Sequence, residues 1–537
     1  MTLQRMIPLF CLISVFAMIL MVRTALLTTS PEYKQAAKMQ ATKTLTIGAT
    51  RGEIYDCNML SFVNNDSEYI SVIDPDPENI AKILAKIPNN KSSEVVAEQI
   101  RNGNPFAIKT EEPVLAEGVT VFKGTRRYAT NGLASHIIGH LDSNGNGATG
   151  LELAYNTELK RLGGTAQIAY TLDGSGREIE ALKSKILDNS KTKGGVVSTL
   201  DKGVQWIVEE AGRKHLKNGA IIVLSPTDGK IRGMASFPSF SQENIAKSII
   251  DSENTPMINR AISPYNVGSV FKINTAVTAI EQGISSGHRG NCNGYTNIRE
   301  QRFKCFHLAG HGVVDMKKAM VVSCNPYFIN LALKTNPARL LQIASDLSFG
   351  KGYQLAPEIK SEAGTLPLVS DMLNPAEVGN FGFGQGKLTA TPLQIGLMMC
   401  SVLNGGLTPQ PKLVEGIYEN GELTKNPNKR GIQAMSSETA SKVKDMLVAA
   451  VMEAESSEAK PTLTTAGGKT ATAQTGRKDK DKGKEELQTW FAGFFPADKP
   501  KYVVVVSAEK GETGNLSAGP AFRYIADELT KRAKIGK

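Results

Sequence analysis

Ser269-Val270-Phe271-Lys272 sets a hydroxyl and an amine at an i, i+3 spacing, so a helix beginning at the serine would carry both on one face. Pro264 and the turn Asn266-Val267-Gly268 lead into that helix. A serine hydroxyl is a weak nucleophile at neutral pH, but an amine whose pKa is lowered by burial and nearby positive charge can take its proton. Standing alone, the same four residues describe an N-cap serine and a solvated lysine. Two later segments alter that balance. Ser323-Cys324-Asn325 falls at the break between helical patterns at Met316–Val322 and Tyr327–Lys334, where Ser323 is suited to proton relay and Asn325 to binding a substrate amide. Lys469-Thr470-Ala471 opens a strand-like run to Gln474, whose period-two alternation places Lys469 and Ala471 on one face and Thr470 and Thr472 on the other. That strand would offer a cation inward and hydroxyls to a carboxylate. The backbone N–H groups of Ser269 and Thr472 would form an oxyanion hole.

The elements that must hold these residues begin near Val196. A helix capped at Asp201 is followed by a hairpin signature, Ala220–Leu224, the turn Pro226-Thr227-Asp228-Gly229, and Ile231–Ala235. The middle of this region is helix-rich. Strands return at Gly467–Gln474, Thr489–Phe495 and Tyr502–Ser507, and an amphipathic helix closes the chain at Pro520–Lys534. Strands at both ends with helices between predict an α/β sandwich whose sheet joins distant parts of the chain. The charged run from Arg477 to Glu486 reads as a solvated hairpin loop. Upstream, Pro31–Lys43 reads as a short polar helix, Ile47–Ile73 as extended and Pro77–Ile87 as a small helix. Short strands and Gly/Asn-rich turns then continue to about Gly195, with no cluster of reactive side chains.

With 537 residues the chain is expected to hold two folded units, and 41% hydrophobic with 21% charged residues excludes wholesale disorder. Its 62 basic and 52 acidic residues leave +10, spread without a long basic block. Nucleic acid is therefore not an expected partner, whereas anionic wall polymers or lipid headgroups suit the charge. Met6 to Val22 carries no charge and is bracketed by Arg5 and Arg23, the pattern of a single membrane-spanning anchor. No small-x-small cleavage site follows closely, which favours a retained signal-anchor over a removed signal peptide. The six cysteines are too sparse for a disulfide framework. Cys292 and Cys305, with His307 and His311, would make a set of soft zinc ligands. A disulfide is a rival reading, and two unpaired thiols in a loop is the expectation, with no metal and no cofactor. Cys324 is expected to fill space, and His136 and His140 to pack among apolar neighbours. Gly382, Gly384 and Gly386 lack the βαβ context of a nucleotide loop.

The order of S-x-x-K, S-x-N and K-T-x resembles the class B penicillin-binding proteins, monofunctional peptidoglycan D,D-transpeptidases. Further stretches extend the resemblance from the anchor to the last helix: Asn259-Arg260-Ala261, Tyr265–Lys272, His311-Gly312, Gly384-Gln385-Gly386, Thr391–Gln394 and Trp490–Pro496. Arg51–Asp56 and Gly150-Leu151-Glu152 resemble R-G-x-I-x-D and G-x-E elements of the family's pedestal domain. The resemblance implies the α/β (α+β) transpeptidase fold, an antiparallel sheet flanked by helices, preceded by an N-terminal membrane anchor and a β-rich pedestal. The implied layout is a cytoplasmic tail at 1–5, a transmembrane segment at 6–22, a pedestal at 23–195 and an extracytoplasmic transpeptidase domain at 196–537.

By the same resemblance Ser269 is acylated by a stem peptide ending in D-Ala-D-Ala, or by a β-lactam, and an acceptor amine resolves the acyl-enzyme. Lys272 is the base, Ser323 carries protons to the leaving amine, and Lys469, Thr470 and Thr472 hold the terminal carboxylate. The implied partners are the plasma membrane, a SEDS-type glycosyltransferase and division or elongation proteins. A D,D-carboxypeptidase shares the acylation step. A β-lactamase would need a water-activating motif such as E-x-x-L-N, which is absent between Asn325 and Lys469. A catalytically quiet scaffold or a β-lactam sensor is the reading from another class. It is disfavoured because Ser269, Lys272, Ser323, Asn325 and Lys469 are all present and the inner tail is too short for an output domain.

Three positions depart from the family pattern. Cys57 and Met59 replace an Arg and a Gly of the pedestal motif, and Ala471 stands where the family has Gly, adding a methyl toward the nucleophile's helix. Ala471→Gly is therefore expected to keep or raise the rate of β-lactam acylation, measured by fluorescent-penicillin labelling. A large fall would show that the methyl supports the strand's packing.

Overall fold

The computed structural model describes residues 3–73, 106–130, 132–171, 185–188, 194–478 and 483–535, with isolated positions between 81 and 100. The helix expected at Pro77–Ile87 lies largely outside these residues, as does the tip of the charged loop at 479–482. Helix α1 (Leu3–Thr29) contains the candidate membrane span Ile7–Thr29. It extends the apolar segment beyond Arg23, and none of its apolar window is buried against protein.

Two compact units divide the chain, the first made of Met1–Arg51, Asp66–Arg126 and Lys160–Lys193. It holds two three-stranded antiparallel sheets. One has Asp66–Ile73 between Phe106–Thr110 and Val119–Arg126, and the other has Gly164–Thr171 between Thr42–Thr50 and Lys185–Asp188.

The second unit comprises Gly52–Asn65, Arg127–Leu159 and Gly194–Lys537. Its centre is a five-stranded antiparallel sheet of β1 (Gly219–Leu224), β2 (Ile231–Phe237), β3 (Gly467–Lys478), β4 (Glu485–Phe495) and β5 (Tyr502–Glu509), in the order β2-β1-β5-β4-β3. The hairpin and the three late strands thus fall where the alternation and turn residues predict, with β3 and β4 extending into the charged run. Successive residues of the central strands serve opposite faces. Ile221, Val223, Val504 and Val506 pack with Phe491 and Phe495 beneath α2 (Lys202–His215) and the final helix. Ala220, Ile222, Leu224, Val503 and Val505 pack with Trp490 on the other face. There lie α3 (Lys272–Glu281), α4 (Asn325–Ala332), α5 (Pro392–Leu403) and α6 (Ser437–Met452), whose apolar residues share one core. The final helix, α7 (Gly519–Ile535), completes three layers. Helix α2 starts where its cap predicts, with Asp201 accepting the backbone N–H groups of Gly203 and Val204.

Segments upstream in sequence also join this second unit. Buried Asp56 accepts the backbone N–H groups of Asn58, Leu60 and Lys202, which fixes a tight loop at the start of α2. Glu152, fully buried, pairs with Arg127 at 2.7 Å and accepts the Tyr128 hydroxyl, while Arg127 also donates to the Gly52 carbonyl. The two sequence elements Arg51–Asp56 and Gly150–Glu152 are thereby tied through a single guanidinium. Replacing Glu152 by Gln removes the counter-charge of a largely buried cation, and a loss of about 3–5 kcal/mol in unfolding free energy is expected, measured by denaturant titration. An unchanged midpoint would show that Arg127 finds another partner.

Candidate active site

The segment that carries Ser269 enters from a short pairing of Tyr265 and Asn266 with Ala390 and Thr389, and the Trp490 indole of β4 donates to the Asn266 carbonyl at 2.8 Å. Gly268–Phe271 then forms a 3₁₀ turn, and α3 begins at Lys272. Ser269 therefore sits on the tighter turn before the α-helix, not on its first residue. Gly268 donates to the Gly384 carbonyl, and a Cβ on Gly384 would lie 1.9 Å from the Gly268 carbonyl oxygen, at a φ of +89°. This is the physical use of the Gly382–Gly386 run: backbone packs on backbone behind the serine. On the other side, a Cβ on Gly268 would lie 3.2 Å from the Thr472 carbonyl oxygen and 3.1 Å from Ala473 Cβ, so the turn abuts β3.

Lys272 has no solvent exposure. Its ammonium donates to the Ser323 carbonyl at 2.7 Å, the Ser323 hydroxyl at 3.1 Å and Asn325 Oδ1 at 2.7 Å. Ser323 can present both oxygens because its φ of +51° turns the chain between Met316–Val321 and α4. A left-handed serine costs roughly 1–3 kcal/mol, and the charge-assisted bonds to Lys272 offset it. Asn325 is the first residue of α4 and lies beyond the break where the helical pattern alone places it; its Oδ1 faces Lys272 and its amide donates to the Lys304 carbonyl at 3.3 Å. Burial, and then the charge of Lys469, hold the Lys272 pKa well below the usual lysine range. No hydrogen bond joins the Ser269 hydroxyl to Lys272 among the described residues; the cation is directed at Ser323 and Asn325.

Strand β3 is an edge strand, so one row of its backbone groups is left unpaired by the sheet. Lys469, Ala471 and Ala473 are buried along one face, while Thr470 is half-buried and Thr472 exposed on the other. Lys469 donates to the Thr470 carbonyl at 3.1 Å, and burial lowers its pKa to about 8. The Ala471 methyl is buried in the main core, and its residue pairs with Trp490 across the strands. The Thr472 hydroxyl accepts the Gly514 N–H at 3.1 Å. The arrangement thus gathers two lysines of unequal environment, a strained serine and an edge strand beside a half-buried serine on a tight turn. Such a site can deprotonate Ser269 through neutral Lys272 while charged Lys469 holds an anionic substrate group.

The sequence from 219 to 527 matches the family described as penicillin binding protein transpeptidase domain. The chain belongs to that family. Stage V sporulation protein D of Bacillus subtilis is 26% identical over 507 residues, covering 88% of this chain and 76% of the relative. Peptidoglycan D,D-transpeptidase PbpA of Mycolicibacterium smegmatis is 27% identical over 357 residues, covering 62% of this chain and 71% of the relative. Among solved structures, penicillin binding protein 3 of Mycobacterium tuberculosis complexed with aztreonam superposes with a TM-score of 0.65 at 22% identity. It covers 92% of this chain and 98% of that one. The transpeptidase fold expected from the motifs is therefore the fold observed.

Other side chains of this transpeptidase occupy places that the sequence left open. His136 contacts the Pro256 carbonyl at 2.7 Å and the edge of Phe240, and His140 contacts the Thr149 hydroxyl, so both serve packing. Buried Arg260 bonds Glu509 at 2.9 Å and the Asn254 carbonyl, and the Tyr265 hydroxyl donates to the same carboxylate, which braces the loop before Ser269. Cys324 is fully buried in the core, and its sulfur lies within 4.8 Å of the ligand atoms of Cys292, Cys305 and His311. Exposed His307 stands outside this group.

A pH dependence follows from the two lysines. With Lys272 as base and Lys469 as the cation for the substrate carboxylate, the acylation rate is expected to rise as Lys272 loses its proton and to fall along a limb near pH 8, where Lys469 loses its own. Stopped-flow acylation by a chromogenic β-lactam measures the profile. A rate that stays constant far above that limb would remove the Lys469 charge from the reaction.

Proposed function

We infer that this chain is a class B peptidoglycan D,D-transpeptidase, cross-linking stem peptides through an acyl-enzyme at Ser269 and inhibited by β-lactams that acylate the same hydroxyl. The observation that carries the residue roles is the wholly buried Lys272 ammonium, held between Ser323 and Asn325 one turn beyond Ser269. In the reactive state Lys272 is neutral, and its Nζ accepts the Ser269 proton as Oγ attacks the carbonyl carbon of the penultimate D-Ala. The backbone N–H groups of Ser269 and Thr472 stabilise the resulting oxyanion. Ser323, hydrogen-bonded to Lys272, relays that proton to the departing D-Ala nitrogen as the peptide bond breaks and an ester forms. An acceptor amine then attacks the ester carbonyl, its proton passes back along the same route, and the Ser269 hydroxyl is restored.

Lys469 supplies the charge for the terminal carboxylate, with Thr470 and Thr472 beside it on β3. Asn325 fixes the position of Lys272 and, at the mouth of α4, binds the substrate amide. Among the described residues Ile7–Thr29 is the one helix long and apolar enough to cross a membrane, which suits an anchor with the catalytic unit on the outer side where the wall polymer lies. In that setting the glycan strands come from a membrane glycosyltransferase of the SEDS type, and division or elongation proteins are the remaining partners. Ser269→Ala and Lys272→Ala are each expected to lower fluorescent-penicillin labelling at least about 100-fold, read on a gel. Persistent labelling of the serine variant would move the nucleophile elsewhere.

A further inference from the structure

Beside the Lys272 cluster, three buried thiols and one imidazole converge from four separate segments. Cys292 ends the strand Gly290–Cys292, Cys305 follows the hairpin Tyr295–Lys304, His311 precedes the strand Gly312–Val314, and Cys324 is the residue before α4. Their four sulfur and nitrogen atoms all lie within 4.8 Å of one another, and all three cysteines are free and buried. His311 Nδ1 is 3.7 Å from Cys292 Sγ and 3.6 Å from Cys305 Sγ. Tetrahedral zinc, with bonds of about 2.3 Å to sulfur and about 2.0–2.1 Å to nitrogen, sets these atoms about 3.6 Å apart.

The loop between Cys292 and His311 needs a fastening. Phe306 and Leu308 are exposed, and its hairpin buries only Ile298 and Phe303 in a small satellite core.

We propose that Cys292, Cys305, His311 and Cys324 form a closed structural zinc site that locks the turn carrying Ser323 and Asn325. The ligand set differs from the one the spacing suggests, since exposed His307 is replaced by Cys324, a residue inside the catalytic Ser-x-Asn motif. Binding converts the thiols to thiolates, releases their protons to solvent and involves no redox change. A disulfide between any two of these cysteines would leave the third thiol buried, and the half-buried imidazole beside it, without that partner. The consequence for catalysis rests on the transpeptidase reading; the metal itself does not.

The full-length protein, purified in detergent under reducing, chelator-free conditions, is expected to contain about one zinc ion per chain by elemental mass spectrometry. Cobalt substitution should give thiolate charge-transfer absorption and the intense visible bands of a tetrahedral ion, a readout that needs no variant. Cys292→Ser, Cys305→Ser and His311→Ala should each weaken metal binding at least about 10-fold, whereas His307→Ala should retain it. Stripping the metal should slow penicillin acylation at least about 10-fold, with recovery on adding zinc. Wild-type protein that lacks bound metal and gives no cobalt spectrum would overturn the proposal, as would a Cys305–Cys324 disulfide found by peptide mapping. Serine-dependent labelling in such metal-free protein would leave the transpeptidase reading standing. Bound zinc with labelling independent of Ser269 would do the reverse.

Discussion

A lysine ammonium sealed from water is the constraint on which the rest of the site depends. A buried cation without partners is costly, so Lys272 is tolerable only because three oxygens from a single turn surround it. That demand explains the left-handed Ser323, whose backbone strain is the geometric condition for aiming a carbonyl and a hydroxyl at one nitrogen. It also explains why the amine can serve as a base. The same burial that needs those acceptors, together with the Lys469 charge, favours the neutral form. Stability and reactivity at this point have one physical origin.

The layered core keeps that lysine where a substrate can use it. The inner strands of the sheet are covered on both faces and leave no row of backbone groups open, whereas β3 lies at the edge and presents one. Close contact of backbone with backbone, Gly268 against Gly384 on one side and against Thr472 on the other, leaves the serine turn little room to shift. The Trp490 indole adds a direct link from the sheet to the segment that delivers Ser269. Preorganisation here comes from packing at the rear of the turn, while the serine itself stays half-buried.

The thiol–imidazole group extends this logic to the turn bearing Ser323. Cys324 lies between two residues that touch Lys272, and its sulfur faces Cys305 from the neighbouring loop. Any force on that sulfur is therefore transmitted to Lys272 within one residue. The loop itself contributes few apolar contacts, so polar and sulfur interactions must hold what a larger core would hold elsewhere.

The amino-acid sequence by itself determined the candidate site side chains, the hairpin, the late strands and the apolar N-terminal helix, because each is a matter of residue type and local periodicity. It also named Ser269, Lys272, Ser323, Asn325 and Lys469 as a set through their order. What local pattern could not decide were the contacts between segments far apart in the chain. Asn325 turned toward Lys272, Ser269 on a 3₁₀ turn, Cys324 in place of His307 beside the other thiols, and Asp56 and Glu152 packed into the second unit all arise in this way. Periodicity reports which way a side chain faces along its own element. Which partner it meets is set by burial and charge balance across the whole fold, and that exists only once the layers have closed.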